Sequence, residues 1–210
     1  MGFRIGITMR ETQAPNYFEP RDSLAHDWPK YLNAIFPNDM WMYIPNMGKD
    51  AIELFDKWSL NVLILSGGEN IGESSIRDET EELLLKHAIA SGIPIIGVCR
   101  GLQLIHTFFG GEINLGDDNF VRIHRATKHN IKLNNSIKEV NSYHNNFLVK
   151  ETLPNQFKVW ATGLVDDSIE GIKSENILAM MWHPERDKEI PKWNKDIIIE
   201  FLNNKKWLED

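Results

Sequence analysis

At 210 residues, with 42% hydrophobic and 25% charged side chains, the chain has the composition of an ordinary globular domain and enough length to bury a core without disulfide or metal staples. A formal net charge of −7 argues against nucleic-acid binding, and a single cysteine excludes an internal disulfide. The longest apolar runs, such as Val62 to Leu65 and Ile93 to Val98, fall far short of the ~20 residues that span a bilayer, so no membrane segment is expected.

Met1 to Arg10 leads straight into a strand-like FRIGIT, without the charged and apolar regions of a signal peptide, which predicts a cytoplasmic protein. RIGIT, MYIPN and NVLILSGG alternate with helical patterns near Ser23 to Phe36 and Asp50 to Trp58. Such alternation predicts a parallel sheet covered on both faces. Asp78 with Glu81 three residues on reads as the cap of a helix DETEELLLKHAIASG that closes at Gly92, and Pro94 opens a buried strand IPIIGV. Beyond Cys99, the side chains of Leu102, Leu104, Ile105, Phe108 and Phe109 form one apolar helical face, which Gly110 and Gly111 end.

The rest of the chain is strand-rich, through HNIKLN, EVNSYHNNFLV, FKVWATGL, SIEGIKS and ILAMMWHPE, and finishes in a helix from about Asn194 to Trp207. No repeat or linker interrupts it, so residues 1–210 read as one domain.

Cys99 falls at a strand-to-helix corner between Gly97 and Gly101. Glycines on either side relieve the crowding of a sharp turn and predict that it lifts the sulfur out of the core. The helix that follows aims free N–H groups and the positive end of its dipole at the sulfur, favouring thiolate. Buried filler is the competing reading of a lone cysteine.

Seven histidines compete for the role of base: His26, His87, His106, His124, His129, His144 and His183. In MMWHPE, His183 ends an apolar strand with Glu185 two residues on, so a carboxylate can hold the far nitrogen of the imidazole. His26, His87 and His106 read as ordinary structural histidines. His144, in VNSYHNN, is open between a site-lining loop and a polar strand end.

An oxyanion needs preorganised donors. LSGGEN follows a buried strand, so Gly67 or Gly68 can offer one backbone N–H, and Arg100, just past the cysteine, a second. No Cys/His run has the spacing of metal ligands, so neither metal nor other cofactor is expected.

Taken together, GVCRGLQ, the upstream SGG, VNSYH and the late WHPE resemble the class I glutamine amidotransferases, over about Arg4 to Glu185; RDETE, CRGLQ and VNSYH resemble their stand-alone γ-glutamyl hydrolase branch, the peptidase C26 type. The resemblance implies a three-layer, flavodoxin-like α/β fold with a mostly parallel central sheet and an additional strand-rich C-terminal half. It implies Cys99 as nucleophile, His183 as base and Glu185 as its partner, with Gln103 and the region of Ser142, Tyr143 and His144 holding the glutamyl moiety. The chemistry implied is cleavage of a γ-glutamyl amide through a glutamyl thioester. Met181 departs from the glutamine that such proteins commonly carry before Trp-His-Pro-Glu.

The leaving group is less legible. VRIHRATKH gathers Arg122, His124, Arg125, Lys128 and His129 in an acidic protein, which fits either a phosphate-bearing leaving group or a solvated loop. A small-molecule γ-glutamyl amide, with or without a nucleotide attached, is the expected partner. The competing arrangement is a glutaminase subunit that passes ammonia to a separate synthetase.

Overall fold

The computed structural model describes residues 2–134 and 136–203. The chain opens with β1 (Arg4–Thr8), a hairpin of β2 (Arg10–Gln13) and β3 (Pro20–Ser23), α1 (Asp27–Ile35), β4 (Met40–Ile44), α2 (Asp50–Lys57) and β5 (Val62–Leu65). It continues through α3 (Ser75–Ala90), β6 (Ile95–Val98), α4 (Arg100–Phe108), β7 (Asn114–Leu115), α5 (Asp118–His124), β8 (Arg125–Leu133) and β9 (Ser136–Tyr143). The last elements are β10 (Asn146–Phe147), β11 (Lys158–Gly163), β12 (Ile169–Lys173), β13 (Ile177–Met180) and α6 (Lys192–Asn203).

A nine-stranded sheet runs in the order β4-β1-β5-β6-β13-β12-β11-β8-β9. Its first five strands pair in parallel. From β13 onward every pairing is antiparallel, so the strand-rich half extends the parallel sheet. The parallel part has the flavodoxin-like strand order, in which ligands collect beyond the carboxyl ends of the strands.

Period-two alternation splits the core between the two faces. Val62 and Ile64 of β5 pack with Trp28, Leu32 and Ile35 of α1 and with Ile198 and Phe201 of α6. Leu63 and Leu65 pack with Phe55 of α2, Leu84 and Leu85 of α3, and Leu102 and Ile105 of α4. β5 and β6 are therefore buried on both sides, as their uninterrupted apolar runs predict.

Several local expectations need correction. Ser74, not Asp78, caps α3: its backbone is extended and its side chain accepts from the Arg77 N–H. Asp78 and Glu81 lie inside the helix and serve the buried ion cluster described below. The helix expected from Ser23 starts at Asp27, because β3 occupies residues up to Ser23. EVNSYHNNFLV is broken after Tyr143, and HNIKLN belongs to a longer strand, β8. The expected end of the last helix, residues 204–207, lies outside the described residues. Among the described residues, no helix is long and apolar enough to cross a membrane.

Candidate active site

Cys99 joins β6 to α4 with φ 52° and ψ −102°, a backbone conformation that costs a residue bearing a Cβ of the order of 1–3 kcal/mol. The turn needs Gly101, since a Cβ there would sit 2.2 Å from the carbonyl oxygen of Leu65 at the end of β5. A Cβ on Gly97 would press to 2.9 Å from the Gly101 carbonyl carbon. These close approaches explain the glycine pair. The sulfur is less exposed than the elbow suggests: Cys99 is 7% exposed and sits beside the apolar core.

His183 follows β13, the neighbour of β6 in the sheet, and the proline after it favours the extended backbone observed, φ −104° and ψ 90°. Its Nδ1 lies 2.7 Å from Glu185 Oε1. Burial pushes the imidazole pKa down, but the charge of Glu185 and charge and hydrogen bonding with Cys99 outweigh it and raise the pKa to about 9. The Cys99 and His183 side chains therefore meet, with Glu185 behind the ring.

Asn141 fixes the backbone of this histidine reciprocally: its Nδ2 donates to the His183 carbonyl at 2.7 Å, and its Oδ1 accepts the His183 N–H at 2.9 Å. Sequence reasoning missed Asn141, which reads as an ordinary polar residue until the fold shows it buried in β9. Tyr143, on the same side of the strand, sets its ring edge-on to His183 at 5.6 Å and carries Arg186 over its face at 4.2 Å.

Beyond β5, Gly67 packs against the imidazole: a Cβ there would lie 2.5 Å from His183 Cε1. Arg77 Nη2 donates to the carbonyls of Ser66 and Gly67 at 2.9 and 3.2 Å. Among the described residues no peptide bond is cis, so planar trans geometry turns the N–H groups of Gly67 and Gly68 away from Arg77. Arg100 is the first residue of α4, where a backbone N–H has no partner within its own helix. Gly67→Ala is expected to keep the fold and lower kcat by about 10²-fold, because the added methyl displaces the imidazole; steady-state kinetics alongside circular dichroism check it.

The Arg100 side chain does not reach toward a substrate. It is buried and hydrogen-bonds Glu81 and Asp78. Arg77 Nε binds the same Glu81 at 3.0 Å and Arg77 Nη1 binds Glu69 at 2.9 Å, while Thr8 Oγ1 donates to Glu81 at 2.6 Å. The sequence disguises this cluster, since RDETEE reads as a solvated helix face.

Gln103 lies one turn into α4, buried, with Nε2 3.8 Å from the sulfur of Met181, which stands where a glutamine was expected. Ser142 and His144 make their contacts on another side of β9 from Asn141 and Tyr143. Ser142 Oγ donates to the carbonyl of His124, and His144 Nδ1 lies 2.8 Å from the Asn146 carbonyl.

The basic stretch is no solvated loop: it forms the end of α5 and the start of β8. Arg122 and Arg125 are exposed, with Arg122 bonded to Asn119, and Lys128 pairs with Glu139 at 2.8 Å. His124, His129 and His144 turn inward instead, around the buried Glu170. Burial holds the His144 imidazole neutral, with a pKa near 4.

A cysteine elbow after one parallel strand, a histidine–carboxylate pair after its neighbour and a flavodoxin-like strand order place the fold with the class I glutamine amidotransferases. A glutamine amidotransferase from Thermotoga maritima superimposes with a TM-score of 0.65 over 100% of this chain and 87% of its own, at 14% identity. The profile of the Peptidase C26 family matches residues 43–185, and the chain belongs to that family. It is 30% identical over 193 residues to a gamma-glutamyl-CDP-amidate hydrolase of Campylobacter jejuni, a match covering 87% of this chain and 90% of the relative. It is also 30% identical to the carbamoyl phosphate synthase small chain of Pyrococcus furiosus, over 65% of this chain and 36% of that one.

Proposed function

We propose that the protein is a cysteine-dependent hydrolase that cleaves a γ-glutamyl amide through a glutamyl thioester, with γ-glutamyl-CDP-amidate as substrate and glutamate and cytidine diphosphoramidate as products. The observation that carries this reading is the meeting of Cys99, at the head of α4, with an imidazole whose far nitrogen lies 2.7 Å from the Glu185 carboxylate. Similarity to the Campylobacter hydrolase over nearly the whole of both chains supports the choice of substrate.

The Cys99 sulfur attacks the γ-carbonyl carbon, and the developing oxyanion sits between backbone N–H groups of Gly67 or Gly68 and of Arg100. His183 gives its proton to the leaving nitrogen as the C–N bond breaks, leaving a glutamyl thioester. Water then attacks the thioester carbonyl while His183 takes up its proton, the C–S bond breaks, and glutamate departs. Gln103 and Tyr143 belong to the glutamyl pocket in this reading, whereas Ser142 and His144, expected there from the sequence, face the His124–Glu170 cluster instead.

The leaving group would pass the cleft that Asn141, Tyr143 and Arg186 border beside His183. Turnover of free glutamine, γ-glutamylpolyamines, γ-glutamyl-GABA and γ-glutamyl-CDP-amidate, measured side by side, tests the assignment. The nucleotide-linked substrate is expected to have the highest kcat/KM, and replacing Arg122 and Arg125 together with Ala is expected to raise KM for it alone. Equal effects on all substrates remove the phosphate contact. Similarity to a carbamoyl phosphate synthase small chain favours the competing reading of a glutaminase subunit. Glutamine turnover that rises only when a synthetase is added would establish that reading.

The raised pKa of His183 sets the alkaline limit. Below about pH 9 the imidazolium can protonate the leaving amine, and above it that acid is lost, so kcat/KM is expected to fall with an apparent pKa near 9. Glu185→Gln removes the largest favourable contribution to that charge and is expected to move the limb downward. In stability, a pKa raised from 6.5 contributes fully below 6.5 and is lost as pH rises through about 9. A pH–rate profile and thermal melts across the same range check both.

A further inference from the structure

We propose that His124, His144 and Glu170 form a buried binding site for a divalent transition-metal ion, with zinc the best match to the donors, separate from the Cys99 centre. His124 ends α5, His144 follows β9, and Glu170 lies in β12, so the ligands come from distant parts of the chain. Local spacing could not reveal them.

One ligand atom from each residue lies within 4.8 Å of the others. Glu170 Oε1 is 3.8 Å from His124 Nδ1 and 3.6 Å from His144 Nε2. On the other carboxylate oxygen, His129 Nε2 approaches to 3.6 Å, in place to complete a fourth position. The side chains of His124, His144 and Glu170 are 2%, 1% and 0% exposed.

The outer contacts fix which nitrogen faces inward. The Asn146 carbonyl can only accept, so His144 carries its proton on Nδ1 and turns the Nε2 lone pair toward Glu170. The Asp166 carboxylate lies 2.7 Å from His124 Nε2, which leaves His124 Nδ1 facing Glu170, with the Ser142 hydroxyl 3.5 Å away. Asp166 is itself held by the N–H and hydroxyl of Ser168 at 3.1 and 2.8 Å. A far nitrogen anchored on a carboxylate or a backbone carbonyl is the second-shell pattern of metal-ligating histidines.

At the centre several polar atoms stand without partners. His144 Nε2 and Glu170 Oε2 have no hydrogen-bond partner, and neither has either nitrogen of His129. Acceptors converging in a buried space repel one another unless a cation or a proton sits among them. Imidazole nitrogen with one carboxylate is a donor set suited to zinc, whose bonds of roughly 2.0–2.2 Å would draw the ligand atoms together by small side-chain rotations.

The site would brace the catalytic strand. On β9, Asn141 and Tyr143 contact His183, while Ser142 and the following His144 contact the cluster. A bound ion would thus tie α5 and β12 to the strand that holds the imidazole.

The test uses the full chain carrying Cys99→Ser, which removes a competing sulfur ligand. Protein grown with added zinc is expected to contain about one equivalent by elemental mass spectrometry. After stripping with a chelator, cobalt(II) should restore visible ligand-field bands, and zinc at 100 times its Kd should raise Tm by about 5–10 °C. Asp166→Asn, which leaves every ligand in place, should weaken cobalt binding by about 10–100-fold, and Glu170→Gln should abolish the bands. Metal-free protein that gives no cobalt bands while folded by circular dichroism would overturn the proposal. So would unaltered loading of a folded Glu170→Gln variant.

Discussion

Cys99→Ala is expected to lower γ-glutamyl amide hydrolysis by about 10⁴-fold or more while leaving the thermal transition close to that of the parent. In the proposed mechanism the sulfur forms the bond that turns one amide cleavage into two easier steps, and no other thiol exists in the chain to replace it. Donors around the oxyanion and the protonated His183 would survive, so a small residual rate is expected rather than none. Alanine bears a Cβ as cysteine does, so the cost of φ 52° is nearly unchanged and stability should move little. A second readout separates loss of the nucleophile from loss of the site: without the sulfur the His183 pKa should fall, because one of its two supporting partners is gone. Turnover within tenfold of the parent would remove Cys99 from the mechanism.

The parts of this site legible in the sequence are those where backbone geometry forces a residue choice. Gly97 and Gly101 are needed because β6, α4 and the end of β5 approach within contact of one another, and that need is local enough to read. The same holds for His183 and Glu185, which the chain itself sets two residues apart. Alternation of apolar runs gave both faces of β5 and β6 for a similar reason, since each strand is buried by its own composition. Illegible were the partnerships made across the fold. Arg77, Glu81 and Arg100 look like a charged helix face and a basic residue beside the thiol, yet all are buried together. His124 and His144 look like parts of a basic loop and a substrate loop, and only the antiparallel order β12-β11-β8-β9 brings them to Glu170. Asn141 escaped because a polar strand residue reads as solvent-exposed, and its partner lies 42 residues further along the chain.

The buried ion cluster carries the largest expected stability effect. Glu81→Ala should lower the unfolding free energy by about 3–5 kcal/mol, because it strands two buried guanidinium groups, Arg77 and Arg100, without their shared carboxylate. Thr8 would lose its acceptor as well. Urea unfolding measures the loss, and a change below about 1 kcal/mol would mean that Glu69 and Asp78 alone suffice for the two arginines. The cluster also reaches the chemistry, since Arg77 holds the Ser66 and Gly67 carbonyls that orient the glycine N–H groups. Replacing Arg77, Glu81 and Arg100 together with apolar residues of similar volume should therefore recover much of the stability lost in Glu81→Ala. It should not recover catalysis, because no donor would remain to turn the Gly67 and Gly68 N–H groups toward the oxyanion. Stability restored with activity still low would separate the two duties of Arg77, charge balance within the core and alignment of the strand end above it.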